Sequence, residues 1–384
     1  MLQPLTLGLL AALVGFASSF AVVLAGLAAV GASPAQAASG LAALCLAMGG
    51  LGVLFSLRLR MPVSIAWSTP GAALLATGVG VPEGGFPAAV GAFLLCGALI
   101  VAAGLFRPLA RAVGRIPAPL AAAMLAGVLL DLCLAPVRAV AEVPVLAAPA
   151  VLAWAVMLRV ARLWAVPAAV AVAALGIALG PGLPAGVAPG LPSLEFVVPT
   201  FEVQALLGIG VPLFLVTMAS QNLPGYAVLR ANGYAPPLSP ILVGTGVVSA
   251  ATAPLGALPV NLAAITAALC AGPEAHADPA RRWVAALVAG CGYLSLFFLA
   301  GAAAALVAAA PPVLIQAVAG LALLGALASA LGAALAREDV RLPAIVTFVT
   351  AASGLSLGGI GAAFWGLLAG GALLALLRPA PSTA

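Results

Sequence analysis

The sequence predicts an all-α polytopic membrane protein of fourteen transmembrane segments, with short strands in segments 3 and 10. Hydrophobic residues make up 65% of the 384 residues and charged residues only 6%, whereas soluble domains carry about 25% charged residues. Apolar stretches recur along the chain, and each helical crossing of a bilayer takes about 20 residues. Fourteen segments leave no length for a soluble domain, so the lipid bilayer is the first predicted partner.

Clusters of arginine, proline and glycine mark the boundaries between the predicted segments. Segments 1 to 7 lie within 1–180, an outer linker spans 181–203, and segments 8 to 14 lie within 204–384. Since each half has an odd number of segments, the halves enter the membrane from opposite sides, as in the inverted repeats of alternating-access transporters. The segments are predicted at 7–29, 37–56, 62–80, 87–106, 118–136, 143–158, 164–180, 204–222, 236–252, 255–272, 283–306, 312–335, 343–357 and 358–377.

The basic residues are all arginine, and their positions predict the orientation of the chain. With a cytoplasmic N-terminus, every one of the 14 except Arg138 lies on the inner side, in agreement with the positive charge of cytoplasmic loops. Both termini are then cytoplasmic in a bacterial inner membrane. The arginine residues that give the net charge of +5 are scattered through the loops, so no nucleic-acid partner is predicted. The five cysteines lie in apolar segments without CxxC spacing, so neither a metal site nor a cofactor is predicted.

An internal similarity relates segment 3 to segment 10. Residues 62–69 read PVSIAWST and residues 259–266 read PVNLAAIT, so Pro, Val, Ala and Thr match in register at an offset of 197. A second similarity, at an offset of 202, relates the sequence Gly-Ala-Ser-Pro from Gly31 to the sequence Gly-Tyr-Ala-Pro from Gly233. Two offsets close to half the chain length favour a duplicated unit.

Segment 3 is predicted to be an extended stretch followed by a half-helix. Pro62 would cost roughly 3 kcal/mol inside a helix, which favours an extended start. Thr69 as an N-cap followed by Pro70 is typical of the beginning of a helix. We therefore expect residues 61–68 to be extended and residues 70–80 to be helical.

The internal similarity predicts the same break in segment 10. Residues 255–260 are expected to be extended, and a second half-helix to begin between Asn261 and Thr266. Unpaired backbone at membrane depth must be buried by protein or reached by water, and two facing strands would pair with each other. Each break also leaves a helix N-terminus with free N–H groups and about half a positive charge, so two such ends facing one cavity would form an anion site. The alternative is two proline-kinked helices that serve only packing.

Polar residues inside the segments are candidates for substrate binding, because such residues need a partner or a purpose in a bilayer. The amides of Gln221, Asn222 and Asn261 can donate hydrogen bonds to a carboxylate, although small polar residues also hydrogen-bond between helices. Three aromatic residues are candidates for the wall of an apolar slot, unless they face lipid or the protein core: Phe20, Trp67 and Tyr226. The predicted substrate-binding residues are Ser19, Phe20, Ser64, Ile65, Ala66, Ser68, Thr69, Gln221, Asn222, Asn261, Leu262 and Ala263.

Four ionisable residues are candidates for gating or proton relay. Asp131, late in segment 5, is placed to form an ion pair with Arg138 at the rim. Glu274, His276 and Asp278 lie between two prolines after segment 10, and their alternation does not match a zinc motif. The alternative for these three is a capped turn. His276 is the only histidine, the side chain whose unperturbed pKa lies nearest neutrality.

The most specific motifs resemble the BenE-type benzoate–proton symporter family. They read PVSIAWSTPG at 62–71, QNLPG at 221–225, LRANGY at 229–234 and NLAAITAALCAGPEAH at 261–276. The resemblance covers essentially the whole chain and implies a fold similar to the uracil and sulfate transporters. Segments 1–4 and 8–11 then form a core domain, segments 5–7 and 12–14 a gate domain, and the strands of segments 3 and 10 frame the substrate. Proteins of this fold are often homodimers.

The resemblance implies a secondary transporter that imports benzoate or a related aromatic carboxylate with a proton. Uracil-type relatives place glutamate in segments 8 and 10, where this chain has only amides. A neutral pocket suits an anionic substrate and lacks the obvious proton carrier. Three alternatives remain open at this stage: a passive anion channel of the same fold, a transporter of another substrate (a nucleobase, an inorganic anion or an aromatic hydrocarbon), and an intramembrane enzyme, for which no nucleophile–base pair or metal cluster is found in the segments.

Overall fold

The computed structural model describes residues 2–78, 80–106, 108, 116–179, 192–357 and 360–377. Most of these residues are helical, and the four strands that the description contains are two or three residues long. The strands are β1 (Ile65–Trp67), β2 (Val260–Leu262), β3 (Ser356–Leu357) and β4 (Ile360–Gly361). The helices, labelled α1 to α14 in chain order, are Leu2–Ala29, Pro34–Leu59, Thr69–Gly78, Gly85–Leu105, Ala118–Glu142, Pro144–Val160, Ala165–Leu179, Val203–Ala231, Leu238–Thr252, Ile265–Ala271, Pro279–Ala309, Pro312–Leu335, Arg341–Ala352 and Ala362–Leu377.

The predicted class, a polytopic helical membrane protein, is confirmed. Within the described residues, nine helices are long and apolar enough to cross a bilayer, and α6 and α14 are shorter apolar helices. Each of the fourteen predicted segments overlaps one of the helices α1 to α14. That every one of them crosses the membrane stays a prediction. Of the predicted linker, residues 181–191 lie outside the described part of the chain.

The two predicted strands pair with each other. β1 and β2 are antiparallel, with Ile65 opposite Leu262 and Ala66 opposite Asn261. The backbone N–H of Ser68 donates to the carbonyl oxygen of Pro259 at 3.1 Å, and the N–H of Ala263 donates to that of Ser64 at 3.0 Å. The pairing satisfies the backbone groups that the two helix breaks expose, as burial away from water requires.

The helix that follows β1 begins one residue earlier than predicted. Thr69 is already helical, and Ser68 is the cap: its Oγ accepts from the N–H of Gly71 at 3.2 Å and its carbonyl from the N–H of Ala72 at 2.8 Å. Thr69 as the cap was therefore wrong. The reason is that the hydroxyl of Ser68, one position before Thr69, reaches the N–H of the third helical residue, the usual geometry of an N-cap. The hydroxyl of Thr69 stays free for another use.

The break in segment 10 is shifted relative to its prediction. The second half-helix begins at Ile265, inside the predicted window. The extended stretch expected at 255–260 was partly wrong, because Ala253–Leu255 forms a 3₁₀ turn and the strand runs on to Leu262. Gly256, with φ +83°, ends that turn in a left-handed conformation that glycine adopts without strain. The antiparallel pairing with β1 sets the position of β2.

Helix α8 contains two π turns, Leu206–Gly210 and Met218–Asn222. A π turn inserts an extra residue into a helical turn and recurs at functional sites. The second one carries Gln221 and Asn222, the two amides singled out by the sequence. It therefore changes the direction in which each of these side chains leaves the helix, relative to an uninterrupted α-helix.

The helices pack in two groups. In the first, α11 packs against α1 and α2, α1 also packs against α3, and α4 packs against α9. In the second, α5 packs against α12, α13 and α14, and α6 packs against α7. Contacts of α12 with α1 and of α5 with α3 join the groups. The β3–β4 hairpin lies between α13 and α14 and was not predicted.

Candidate functional site

A cavity of about 140 Å³ lies where the two helix breaks meet. Residues from α1, α2, β1, α3, α8, α10 and α11 contribute to its lining, together with apolar residues from the second group of helices. Its lining residues are Val14, Gly15, Ser18, Ser19, Met48, Ala66, Trp67, Thr69, Pro70, Leu129, Leu163, Gln221, Ala263, Ala264, Thr266, Leu269, Tyr293, Ala322, Leu323 and Ala326. The lining residues of the cavity therefore come from both halves of the chain and from both packing groups.

Both half-helices begin at this cavity. Thr69 and Pro70, in the first turn of α3, line it together with Ala264 and Thr266 at the start of α10. The first N–H groups of a helix have no partner within the helix, and they carry partial positive charge. The two helix starts predicted to face a shared pocket are thus brought together.

Aromatic residues form one wall of the cavity. The indole of Trp67 is almost fully buried, and its Nε1–H donates to Ser19 Oγ at 2.9 Å. Ser19 Oγ in turn donates to the carbonyl of Gly15 at 2.8 Å. The ring of Tyr293 stands edge-on to Trp67, with 6.3 Å between the ring centroids, and Phe16 packs against Trp67 at 5.9 Å. Such edge-to-face contacts fix the orientation of the rings.

Gln221 and Asn222 are neighbours in the chain and have different surroundings. Gln221 lines the cavity, and its amide makes no hydrogen bond to any other described residue. Asn222 is fully buried: its Oδ1 accepts from the N–H of Leu262 in β2 at 3.0 Å, and its Nδ2 lies 3.4 Å from Met218 Sδ. One amide is thus free for a ligand, and the other holds the strand.

The remaining polar residues of the breaks hold the strands and helices to one another. Ser64 Oγ hydrogen-bonds Thr266 Oγ1 at 2.9 Å, and Ser68 Oγ hydrogen-bonds Thr217 Oγ1 at 2.7 Å. Asn261 is fully buried. In the amide orientation that satisfies both of its polar atoms, it donates to the carbonyl of Leu262 at 2.8 Å and accepts from the N–H of Ser68 at 3.0 Å.

The structure brings five of the twelve predicted substrate-binding residues to the cavity: Ser19, Ala66, Thr69, Gln221 and Ala263. The other seven are Phe20, Ser64, Ile65, Ser68, Asn222, Asn261 and Leu262, and none of them lines it. Phe20 is buried and stacks on Phe16, with ring centroids 5.5 Å apart. Of the predicted aromatic candidates, Trp67 lines the cavity, whereas Tyr226 does not.

The ionisable candidates lie elsewhere. Asp131 Oδ1 accepts from Arg138 Nη1 at 2.7 Å, which confirms the predicted ion pair, and both side chains are exposed. Asp131 also lines a separate cavity of about 280 Å³ between α3, α5 and α13. Within the described residues, no group of three or more His, Cys, Asp or Glu side chains is arranged to hold a metal ion.

The segment from Glu274 to Asp278 forms a capped turn. Asp278 Oδ1 accepts from the N–H of Ala280 at 2.9 Å, and His276 Nδ1 accepts from the N–H of Asp278 at 3.0 Å. Arg282 is buried beneath the turn and donates to the carbonyls of His276 and of Ala271, both at 2.8 Å. Ala271 is the last residue of α10, where a cation stabilises the helix. A gating or relay role for Glu274, His276 and Asp278 stays a prediction.

Tyr234 joins the loop after α8 to the start of α11. Its phenol donates to the carbonyl of Pro279 at 2.8 Å. Burial raises the pKa of this phenol, and the neighbouring Arg282 guanidinium opposes the rise. A cation–π contact between Arg60 and Trp283, 4.4 Å from guanidinium carbon to ring centroid, joins the end of α2 to α11.

Comparison with known proteins identifies the family. A model of the BenE family, described as benzoate membrane transport protein, matches residues 2–376. The chain belongs to the BenE family. It is 43% identical over 375 residues to the inner membrane protein YdcO of Escherichia coli (strain K12), covering 97% of this chain and 95% of the relative. It is 33% identical over 336 residues to the benzoate membrane transport protein of Acinetobacter baylyi, covering 86% of this chain and 84% of the relative. The chain is a multi-pass membrane transporter and not an enzyme.

A solved structure of similar fold is the transmembrane domain of a cyanobacterium bicarbonate transporter, BicA. The TM-score is 0.59 at 15% sequence identity, over 98% of the BenE chain and 96% of the BicA chain. At that identity the similarity shows the fold alone. It confirms a mostly helical membrane fold similar to that of the BicA transmembrane domain, whereas the division into core and gate domains stays a prediction.

Sequence reasoning missed several residues of the BenE cavity. Tyr293 lies in α11 and was not a candidate, although the chain has only three tyrosines. Leu129 and Leu323 come from the second group of helices, and Leu163 from the 3₁₀ turn Arg162–Trp164 between α6 and α7. Nothing distinguishes these leucines from the many others in apolar segments, whereas the rarity of tyrosine was a usable signal for Tyr293.

Proposed function

We propose that this chain is a secondary active transporter that imports benzoate or a related aromatic carboxylate together with a proton, by alternating access. The observation that carries the proposal is the cavity at the two helix breaks. It combines an aromatic and aliphatic lining with a few hydrogen-bonding groups, as small-molecule sites generally do. The name of the Acinetobacter relative supports benzoate as the substrate.

The size and lining of the cavity suit an aromatic ring. Its volume is about 140 Å³, and an apolar protein cavity of about 150 Å³ is known to take up benzene. Trp67 and Tyr293 offer faces and edges for aromatic contact, and Leu129 and Leu323 supply aliphatic surface. The ring of benzoate then lies in this slot.

The carboxyl group of the substrate is placed at the polar end of the same cavity. Gln221 and Thr69 both line it, and neither side chain hydrogen-bonds another described residue. The partial positive charge at the starts of α3 and α10 favours an electron-rich oxygen. Gln221 therefore orients the carboxyl group, with Thr69 as a second donor.

The two packing groups supply the moving parts. In this proposal, the core domain consists of segments 1–4 and 8–11, and the gate domain of segments 5–7 and 12–14. The repeats span 1–180 and 204–384 and are inverted in the membrane. Gly31 and Gly233, which correspond in the internal similarity, both take left-handed conformations, with φ +93° and +86°, and this supports a duplicated unit. Movement of the core against the gate exposes the cavity to each side in turn.

The orientation and assembly follow the sequence expectations. We place the chain in a bacterial inner membrane with both termini cytoplasmic, as the arginine distribution favours. The Escherichia coli relative is named an inner membrane protein. A homodimer is proposed from the resemblance to the uracil and sulfate transporters.

Proton coupling gives the transport a driving force. Moving an anion inward against an inside-negative potential costs about 2.3 kcal/mol per 100 mV. A proton that accompanies the anion cancels this cost and leaves the pH gradient to drive accumulation.

The test is uptake of labelled benzoate into proteoliposomes that contain the full chain. An inward proton gradient is expected to drive accumulation above equilibrium, and a protonophore to abolish it. Protein-free liposomes are the control, because neutral aromatic acids cross bilayers unaided. Accumulation that ignores an imposed pH gradient contradicts symport. Uptake without counterflow, accompanied by single-channel current, would identify a passive anion channel instead.

A further inference from the structure

Among the residues that the structure describes, the cavity offers no charged partner to a substrate. Its 20 lining residues include no aspartate, glutamate, histidine, lysine or arginine. Tyr293 and the hydroxyls of serine and threonine are neutral hydrogen-bonding groups. Cys45 of α2 and Cys270 of α10 lie close to Tyr293 but do not line the cavity. Asp131 of α5 lines another cavity and is paired with Arg138.

We propose that the neutral cavity binds its substrate as the protonated carboxylic acid, so that the transported proton travels on the substrate itself. This inference rests on the proposed function, and it names the proton carrier. The substrate anion takes up a proton from solution on the entry side and returns it on the exit side. One proton then accompanies each carboxylate, and the transfer carries no net charge.

The free amide of Gln221 matches the neutral acid better than the anion. A glutamine amide presents an N–H donor and a C=O acceptor side by side. A carboxylic acid presents an O–H donor and a C=O acceptor, so the two groups form a pair of complementary hydrogen bonds. A carboxylate has acceptors only and would leave the oxygen of Gln221 without a donor.

The lack of a counter-charge favours the same form. Burial in low dielectric disfavours the charged state of a carboxyl group and raises its pKa, unless an opposite charge or several hydrogen bonds compensate. The partial charges at the starts of α3 and α10 oppose this effect only weakly, since these helices have 10 and 7 residues. A carboxyl group whose only partners are neutral donors, the amide of Gln221 and the hydroxyl of Thr69, has little compensation.

The test compares three ligands of similar shape by calorimetric binding to the purified full chain. Benzoate titrates, benzamide is always neutral, and benzenesulfonate is always an anion. Above the solution pKa of a carboxyl group, about 4.3, the neutral fraction falls tenfold per pH unit. The apparent Kd of total benzoate is therefore expected to rise roughly hundredfold between about pH 5.5 and 7.5. Benzamide is expected to bind with unchanged Kd, and benzenesulfonate not to bind.

A variant separates the role of Gln221 from the protonation step. Gln221→Leu is expected to weaken the binding of benzoate and of benzamide by the same factor, about tenfold. The change in the apparent Kd of benzoate with pH is expected to stay the same. A benzoate Kd that is independent of pH, with benzenesulfonate as a competitor, overturns the inference and leaves the proposed function intact. If none of the three ligands binds at any pH, the proposed function itself fails, and this inference with it.

Discussion

Replacement of Trp67 by alanine is expected to lower the free energy of unfolding by about 3–5 kcal/mol and to abolish benzoate uptake. The indole is 2% exposed and belongs to β1. Its loss removes the contacts with Phe16 and Tyr293 and the hydrogen bond to Ser19. It also removes the aromatic wall on which the substrate ring is proposed to lie. Thermal unfolding in detergent and uptake into proteoliposomes measure the two effects.

Two further variants show whether the ring itself matters. Trp67→Phe keeps one aromatic ring and loses the Nε1–H bond to Ser19 and part of the buried ring volume, so a smaller stability loss than for Trp67→Ala and retained uptake are expected. Trp164 is 45% exposed, so Trp164→Ala is expected to change stability by no more than about 0.5 kcal/mol. A Trp67→Ala protein as stable and as active as the Trp164→Ala protein would contradict the structure of the site.

Asn222→Ala is expected to lower mainly the stability of the protein and Gln221→Ala mainly its affinity for benzoate, although the two residues are adjacent. Asn222→Ala removes the acceptor of the buried N–H of Leu262, and an unsatisfied buried donor costs about 1–3 kcal/mol of stability. Gln221→Ala removes an amide that has no described protein partner, so stability is expected to change by no more than about 0.5 kcal/mol. Its loss is expected to weaken benzoate binding about tenfold, the equivalent of one hydrogen bond.

Unfolding midpoints and benzoate affinities of both variants check this pair. The matched control is Gln316→Ala, which removes the amide of another membrane-segment glutamine, in the alanine-rich crevice of about 390 Å³ between α1 and α12. This control is expected to leave benzoate affinity unchanged. If Gln316→Ala weakens binding and Gln221→Ala does not, the substrate site lies in that crevice.

The helix breaks could be predicted because proline acts locally. Pro62 and Pro259 exclude a continuous helix in each segment, and the internal similarity relates the two breaks, so the paired strands followed from short-range chemistry. The exact cap did not follow. Ser68 and Thr69 both have hydroxyls suited to an N-cap, and the choice between them depends on the strand register, which is set by residues almost 200 positions away.

The different roles of Gln221 and Asn222 could not be predicted from helical periodicity. The π turn Met218–Asn222 alters the angle between successive side chains, so the helix face deduced from a regular α-helix is wrong at this point. The amides were singled out because polar residues are rare in the segments. Which of them faces a cavity is a tertiary property.

The aliphatic residues that line the cavity were the hardest part of the site to predict from the sequence. Leu129 and Leu323 line the cavity, whereas Leu134 and Leu335 on the same two helices are more than 40% exposed. All four lie in similar alanine- and leucine-rich surroundings. In a membrane protein, lipid-facing and protein-facing positions are equally apolar, so hydropathy does not separate them.

The location of bound substrate decides whether the cavity between the two strand–helix breaks is the binding site. An experimental structure with 4-bromobenzoate, located by the anomalous signal of bromine, makes this measurement. The bromine is expected beside Trp67 and Leu323, with the carboxyl group at Gln221, and excess benzoate should displace it. Bromine in the crevice lined by Gln316, with the cavity beside Trp67 empty, would contradict the account.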